Sequence, residues 1–321
     1  MPPAAEPGSF QAQFHRRWNH LNDPHVRALA WLLDAPDLLD GNAPQWRGRI
    51  ATLGPVGPET LEWLNALDRA PESLNAYLGA QPYTRLGRYA EKLMAFYFTH
   101  QETLVAHGLQ VRAAKNDTIG EFDFLLRQEG ELVHWEFASK FYLLETSGGG
   151  TEADDFVGPN LADTLGAKVR KIMERQLSLS QHPAAQALLP EPITVARALV
   201  KGWLFYYGQT PVVHSMGVSS PHCRGFWCTV EELGGMAAEQ YMILPRLSWL
   251  APAKATEEDC LSRQNLEAIL AARFEKDSMP VMVAIVEAQG DCVLEVDRGF
   301  IVPDDWPSRA GARITHMVRA T

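Results

Sequence analysis

Apolar and polar positions alternate along GEFDFLLRQEGELVHWEFASKFYLL, residues 120–144. A period of two predicts strands, and Glu129-Gly130 divides the stretch as a tight turn, because glycine takes the positive φ such turns need. With a two-residue loop, Gln128 opposes Glu131, Leu126 opposes Val133, Phe124 opposes Trp135, Asp123 opposes Glu136 and Phe122 opposes Phe137. One face is then Phe122, Phe124, Leu126, Val133, Trp135 and Phe137, a core surface. The other carries Glu121, Asp123, Leu125, His134, Glu136, Ala138 and Lys140.

Elsewhere the pattern is helical. Asp23-Pro24, Pro58-Glu59 and Pro71-Glu72 each precede an apolar-periodic run, and so predict short helices over residues 13–84. LGRYAEKLMAFYFTHQETLVAHG reads as one long helix from Leu86 to near Gly108, followed by a strand, LQVRAA. A glycine-rich acidic loop over residues 147–160 reads as a flap. In LADTLGAKVRKIMERQLSLS, the residues Leu161, Leu165, Val169, Ile172, Met173 and Leu177 form a core stripe at helical spacing. After Pro190, ITVARALVKGWLFYYG predicts a strand. Beyond about residue 210, QYMILPRLSWL and VMVAIVEAQGDCVLEVDRGFIV predict further strands and CLSRQNLEAILAARFE one helix. The expected class is α/β or α+β, a mixed sheet flanked by helices. Four regions follow: a tail over 1–12, a helical region over 13–84, a core over 85–210 and an α+β region over 211–321.

Composition adds limits. The 321 residues are 46% hydrophobic and 21% charged, as in an ordinary globular protein. No apolar run approaches the roughly 18 residues of a membrane span, and the first residues lack a secretory pattern. Four scattered cysteines suit a reducing cytoplasm. A net charge of −10 argues against a protein that coats nucleic acid, while leaving room for an enzyme with one basic groove.

The opposed acids change the picture. Directly opposed Cβ atoms lie about 4.5–5.5 Å apart, so Asp123 and Glu136 repel unless something offsets their charge. A hard divalent cation does so, and magnesium or manganese favours carboxylate oxygen; a solvated polar sheet face is the competing reading. Glu91 adds a third acid. On a helix its neighbours are Gly87, Met94, Ala95 and Phe98, an apolar surround that calls for a metal or for a partner such as Arg88. Lys168, Lys171 and Arg175 form a basic stripe beside the core stripe, suited to phosphate contact or to solvent. His222, Cys223, Cys228 and His214 invite a zinc reading, but buried free cysteines fit the spacing better. Trp203, Trp227, Trp249 and Trp306 read as core.

The order helix with Glu91, strand, strand with Asp123, strand with Glu136, helix, strand resembles the core of the PD-(D/E)XK nuclease-like superfamily, over roughly residues 85–206. GRYAEKL and HWEFASKFYL are also similar to segments of an uncharacterised bacterial domain-of-unknown-function family. The nuclease resemblance implies a magnesium ion between Asp123 and Glu136, helped by Glu91. It also implies a lysine two residues after the second acid. Ala138 stands there instead, and Lys140, four residues on, is the nearest lysine on that face. The implied activity is hydrolysis of phosphodiester bonds in DNA or RNA, with Lys168, Lys171 and Arg175 steering the backbone. The alternative is a nuclease fold without catalysis that serves as a nucleic-acid- or protein-binding module.

Overall fold

The computed structural model describes residues 8–114, 117–146, 149–150, 152–208 and 217–318. Five helices come first: α1 (Phe10–Trp18), α2 (Pro24–Asp34), α3 (Pro58–Arg69), α4 (Glu72–Leu78) and α5 (Leu86–His100). Asp23 caps α2, its carboxylate accepting from the amides of His25 and Val26, with Pro24 preset for the first turn. Ser9 caps α1, so residues 10–12, expected in a tail, belong to a helix. Phe14 and Trp18 of that helix are buried, and their burial draws it onto the body.

The long helix predicted to reach Gly108 ends at His100. Glu102 adopts left-handed geometry, at φ 55, the Thr103 amide donates to the Phe98 carbonyl and the Glu102 amide to the Thr99 carbonyl. These two bonds form a Schellman stop with glutamate where glycine is usual. The segment that follows forms the strand β1 (Leu104–Ala114), which pairs antiparallel with β2 (Asp117–Gln128). β2 turns through Glu129 and Gly130, at φ 51 and 84, into β3 (Glu131–Leu144). Positive φ at both loop residues matches the strand twist. The ladder pairs Gln128 with Glu131, Leu126 with Val133 and Phe124 with Trp135, in the register read from the sequence.

β4 (Phe156–Val157) lies within the predicted loop and pairs with the end of β3; Ser147, Gly148 and Thr151 of that loop lie outside the described residues. The next helix, α6 (Leu165–Lys171), is capped by Thr164 and begins later than predicted. Leu161 lies before it at φ 58. A π turn over Ile172–Gln176 continues α6, closed by the Leu177 amide on the Ile172 carbonyl. After α7 (Pro183–Gln186), β5 (Val195–Tyr207) returns parallel to β3 from Val133 to Leu143.

The remainder extends the same sheet: β6 (Cys223–Thr229), α8 (Val230–Leu233), β7 (Gln240–Ile243), β8 (Lys254–Ala255), β9 (Leu261–Ser262), α9 (Arg263–Phe274), β10 (Val281–Gln289), β11 (Cys292–Val302) and α10 (Trp306–Val318). The eleven-stranded order is β1-β2-β3-β5-β6-β11-β10-β7-β9, with β4 beside β3 and β8 beside β11. β3, β5, β6 and β11 run parallel; the other pairs are antiparallel. The regions separated at residue 210 in the sequence therefore share one sheet. One face packs on α2 and α5 through Phe124, Trp135, Phe137 and Trp203. The other packs on α6 through Ala138, Tyr142, Val169 and Met173. Trp203, Trp227, Trp249 and Trp306 are all buried in the first of these cores.

A buried ion pair ties the layers. Arg298 and Glu295 are both almost wholly buried, joined at 2.6 and 2.7 Å. Arg298 also donates to carbonyls of Trp249 and Ala251 and lies 4.2 Å over the Trp203 ring. These donors and acceptors satisfy a charge that would otherwise be costly to bury.

Candidate metal centre

The acids meet at an interruption in the alternation. His107 opposes Phe124 and Leu109 opposes Phe122, which leaves Gly108, at φ 63, across from Asp123. Phe124 belongs to the core under α5. Phe122, two residues earlier, instead joins Val111, Leu125 and Leu132 in another cluster. Both strands thus change face between these residues, and the expectation that Phe122 shares a face with Phe124 is corrected. Glycine at position 108 makes the change inexpensive, since it takes positive φ freely.

Beyond Phe124 the β2–β3 ladder stops. The Asp123 carboxylate takes the place of a ladder partner and accepts the Phe137 amide at 2.9 Å. It lies beside Glu136, whose charge acts directly on it. On its other side, carboxylate oxygens of Glu91, Glu121 and Asp123 all lie within 4.8 Å of one another. Asp123 therefore joins two groups: Glu91 and Glu121 on the α5 side, and Glu136 on the α6 side.

The electrostatics follow from burial. The Asp123 carboxyl is pushed well above the usual carboxylate range, first by burial and then by the Glu136 charge. Glu136, 1% exposed, is raised as well, mainly by burial, with Lys168 and Lys171 opposing the rise. Without a cation, both shifts favour the protonated forms of the pair. His134 is fully buried and sits 3.6 Å from Glu136 Oε2. Burial lowers its pKa to about 4. Neither its ring nitrogens nor Glu136 Oε2 has a hydrogen-bond partner among the described residues.

The predicted site residues do not all arrive together. Glu91 pairs with His107 at 2.8 Å, not with Arg88. Lys140, expected to reach back toward Glu136, is held by Asp163 at 3.0 Å, which also accepts the Tyr142 hydroxyl. The strand carries its side chain onward, and a carboxylate fixes it there. Lys168 is the lysine that faces the acids. Its amine donates to Gln176 Oε1 at 3.1 Å, and the Gln176 amide donates to Glu136 Oε1. Burial holds the Lys168 pKa below its ordinary value, while Glu136 and Asp123 pull it up. Lys171 and Arg175 are exposed.

Three participants were not assigned from the sequence. Glu121 was legible, two positions before Asp123 on a strand. Gln176 was not, since only the extra residue of the π turn places it over Glu136, and π turns often mark functional positions. His107 lay in the span predicted as helix.

The other constellations resolve differently. His222 bonds Tyr206 at 2.7 Å and the Ser219 carbonyl at 2.6 Å. Cys223 is a buried free thiol, and burial raises the pKa of Cys228 to about 12. His214 lies outside the described residues. Among the described residues, no helix is long and apolar enough to cross a membrane.

Comparison with curated proteins and with solved structures gives no match. A family model described as a domain of unknown function, DUF1853, matches residues 27–302, and the chain belongs to that family.

Proposed function

We propose that this protein is a metal-dependent phosphodiesterase acting on DNA or RNA, with Mg²⁺ or Mn²⁺ held by Asp123, Glu136 and Glu91. The observation that carries the reading is the meeting of Asp123 with Glu136 on one side and with Glu91 and Glu121 on the other, where β2 and β3 part. The order α5, β1, β2, β3, α6, β5, with β5 parallel to β3, supports a PD-(D/E)XK nuclease-like core.

The residues fit a hard divalent cation. The donors are all carboxylate oxygens, one of them (Glu136 Oε2) lacks a partner among the described residues, and burial raises both central pKa values, with the Glu136 charge adding to the rise at Asp123 and the Glu91 charge to that at Glu136. When bound, such an ion lowers the pKa of a water molecule and offsets charge on the phosphate. The chain's own part is to position and neutralise. The Phe137 amide fixes Asp123, Gln176 fixes Glu136, and His107 fixes Glu91. Lys168, rather than Lys140, supplies the positive charge beside the acids. Lys171 and Arg175, exposed on the same helical segment, are placed for the backbone of the nucleic acid.

The second reading is a nuclease fold without catalysis that binds nucleic acid or protein; Ala138 in the usual lysine position and the net charge of −10 favour it. Calorimetry with Mn²⁺ and Mg²⁺ on the wild type and Asp123→Ala, followed by cleavage assays on single- and double-stranded DNA and RNA, separates the two. Metal binding lost in the variant, with metal-dependent cleavage in the wild type, supports the enzyme. Cleavage that survives Asp123→Ala combined with Glu136→Ala removes this site.

A further inference from the structure

Where β2 leaves β3 a cleft opens. The β2–β3 ladder ends at Phe124 and Trp135, and β4 meets β3 at Leu143 and Leu144. Between them the outer edge of β3 borders a cavity of about 230 Å³, lined by Arg85, Ser139, Lys140, Asp163, Arg246 and Trp249, among others. A water needs only on the order of 10–15 Å³ of such space, so a phosphate group with its hydration fits.

The lining has the character of an anion site. Of these side chains three are cations and one is an acid, and that acid is already matched by Lys140 and the Tyr142 hydroxyl. Arg85 and Arg246 are exposed, and among the described residues neither has an ion-pair partner. Arg246 lies 5.6 Å over the Trp249 ring, which holds its guanidinium at the cleft. The buried Ser139 hydroxyl has no hydrogen-bond partner among the described residues. Arg85 directly precedes α5, a fifteen-residue helix without a side-chain cap, so the helix's first amides add partial positive charge at the same wall.

We propose that this cleft is a phosphate-backbone subsite, in which Arg85, Arg246 and Lys140 bind nucleic-acid phosphates flanking the one at the acids. The proposal rests on the reading of the acids as a phosphodiesterase centre. Lys140 lies four residues along β3 from Glu136, about 13 Å at strand rise. Phosphates of one duplex strand recur about every 3.4 Å of axis, so a strand crossing the acids presents further phosphates to the cleft. An acidic cluster alone repels such a strand; the cleft supplies the missing positive charge.

The test is fluorescence anisotropy of labelled 20-nucleotide single- and double-stranded DNA and RNA, in EDTA, at several salt concentrations. Arg85→Ala combined with Arg246→Ala is expected to weaken binding about tenfold or more. Its salt slope falls by about 1.4 on single strands, from two lost phosphate contacts. Arg85→Lys with Arg246→Lys keeps most of the affinity, and calorimetric Mn²⁺ binding is unchanged in both variants. Unchanged affinity and slope in the alanine variant overturn the subsite while leaving the acids to be judged by the metal titration. A wild type that binds Mn²⁺ but no oligonucleotide, or that binds polyglutamate equally well, also overturns it.

Discussion

The Asp123 carboxylate accepts the backbone amide of Phe137 at 2.9 Å, in place of the ladder bond that ends one pair earlier. Through this bond an acid becomes part of the sheet's own hydrogen bonding, at the point where β2 turns away. It holds Asp123 between acids from two sides, and it costs stability whenever no cation is present.

Stability of the metal-free protein is therefore expected to fall as pH rises. The unfolded Asp ionises near 4, whereas folded Asp123 holds its proton up to about 8. Between those values the folded state binds more protons than the unfolded state, so unfolding becomes easier with each step up in pH. Thermal melts in EDTA from pH 5 to 8 should show this slope, and Asp123→Asn should flatten it. Addition of Mn²⁺ at pH 8 should raise the wild-type Tm and leave the variant unmoved. A wild-type slope equal to that of the variant would contradict the assignment.

The two lysines should separate kinetically. Lys168 faces Glu136 through Gln176, whereas Lys140 is held by Asp163. In a cleavage assay Lys168→Ala is expected to lower kcat by about 10²–10³, the range for losing one electrostatic stabiliser. Lys140→Ala should chiefly raise KM. The reverse pattern would return the role to Lys140.

Gly108→Val places a β-branched residue at φ 63, across from Asp123. Left-handed backbone costs such residues about 1–2 kcal/mol or more. Denaturant unfolding should register that loss. Calorimetric Mn²⁺ affinity should fall with it, because the change of strand face that brings Glu121 and Asp123 to Glu91 depends on this residue. A variant with normal stability and metal affinity would show the left-handed position to be dispensable.

Arg298→Met strips the buried Glu295 carboxylate of its charged partner and frees the Trp249 and Ala251 carbonyls. Breaking one side of a buried pair typically costs about 3–5 kcal/mol. Chemical denaturation of Arg298→Met and of Arg298→Met with Glu295→Met should show the double variant recovering part of the loss.

Much of this fold is local information. Asp23-Pro24 sets the start of α2, Glu129-Gly130 sets the hairpin, and alternation sets the register from Phe124 to Gln128, because caps, turns and strand periodicity act over a few residues. That register already placed Asp123 across from Glu136. Tertiary structure decided the rest. A glutamate stop at Glu102 ended α5 early, since packing of β1 on β2 outweighed the helical pattern of residues 101–108. Gly108 and Asp123 turned two strands over, and a π turn set Gln176 between Lys168 and Glu136. Asp163, twenty-three residues from Lys140 in the chain, took that lysine away from the acids. Each of these depends on a contact made only once the sheet has formed, and residue spacing carries no record of it.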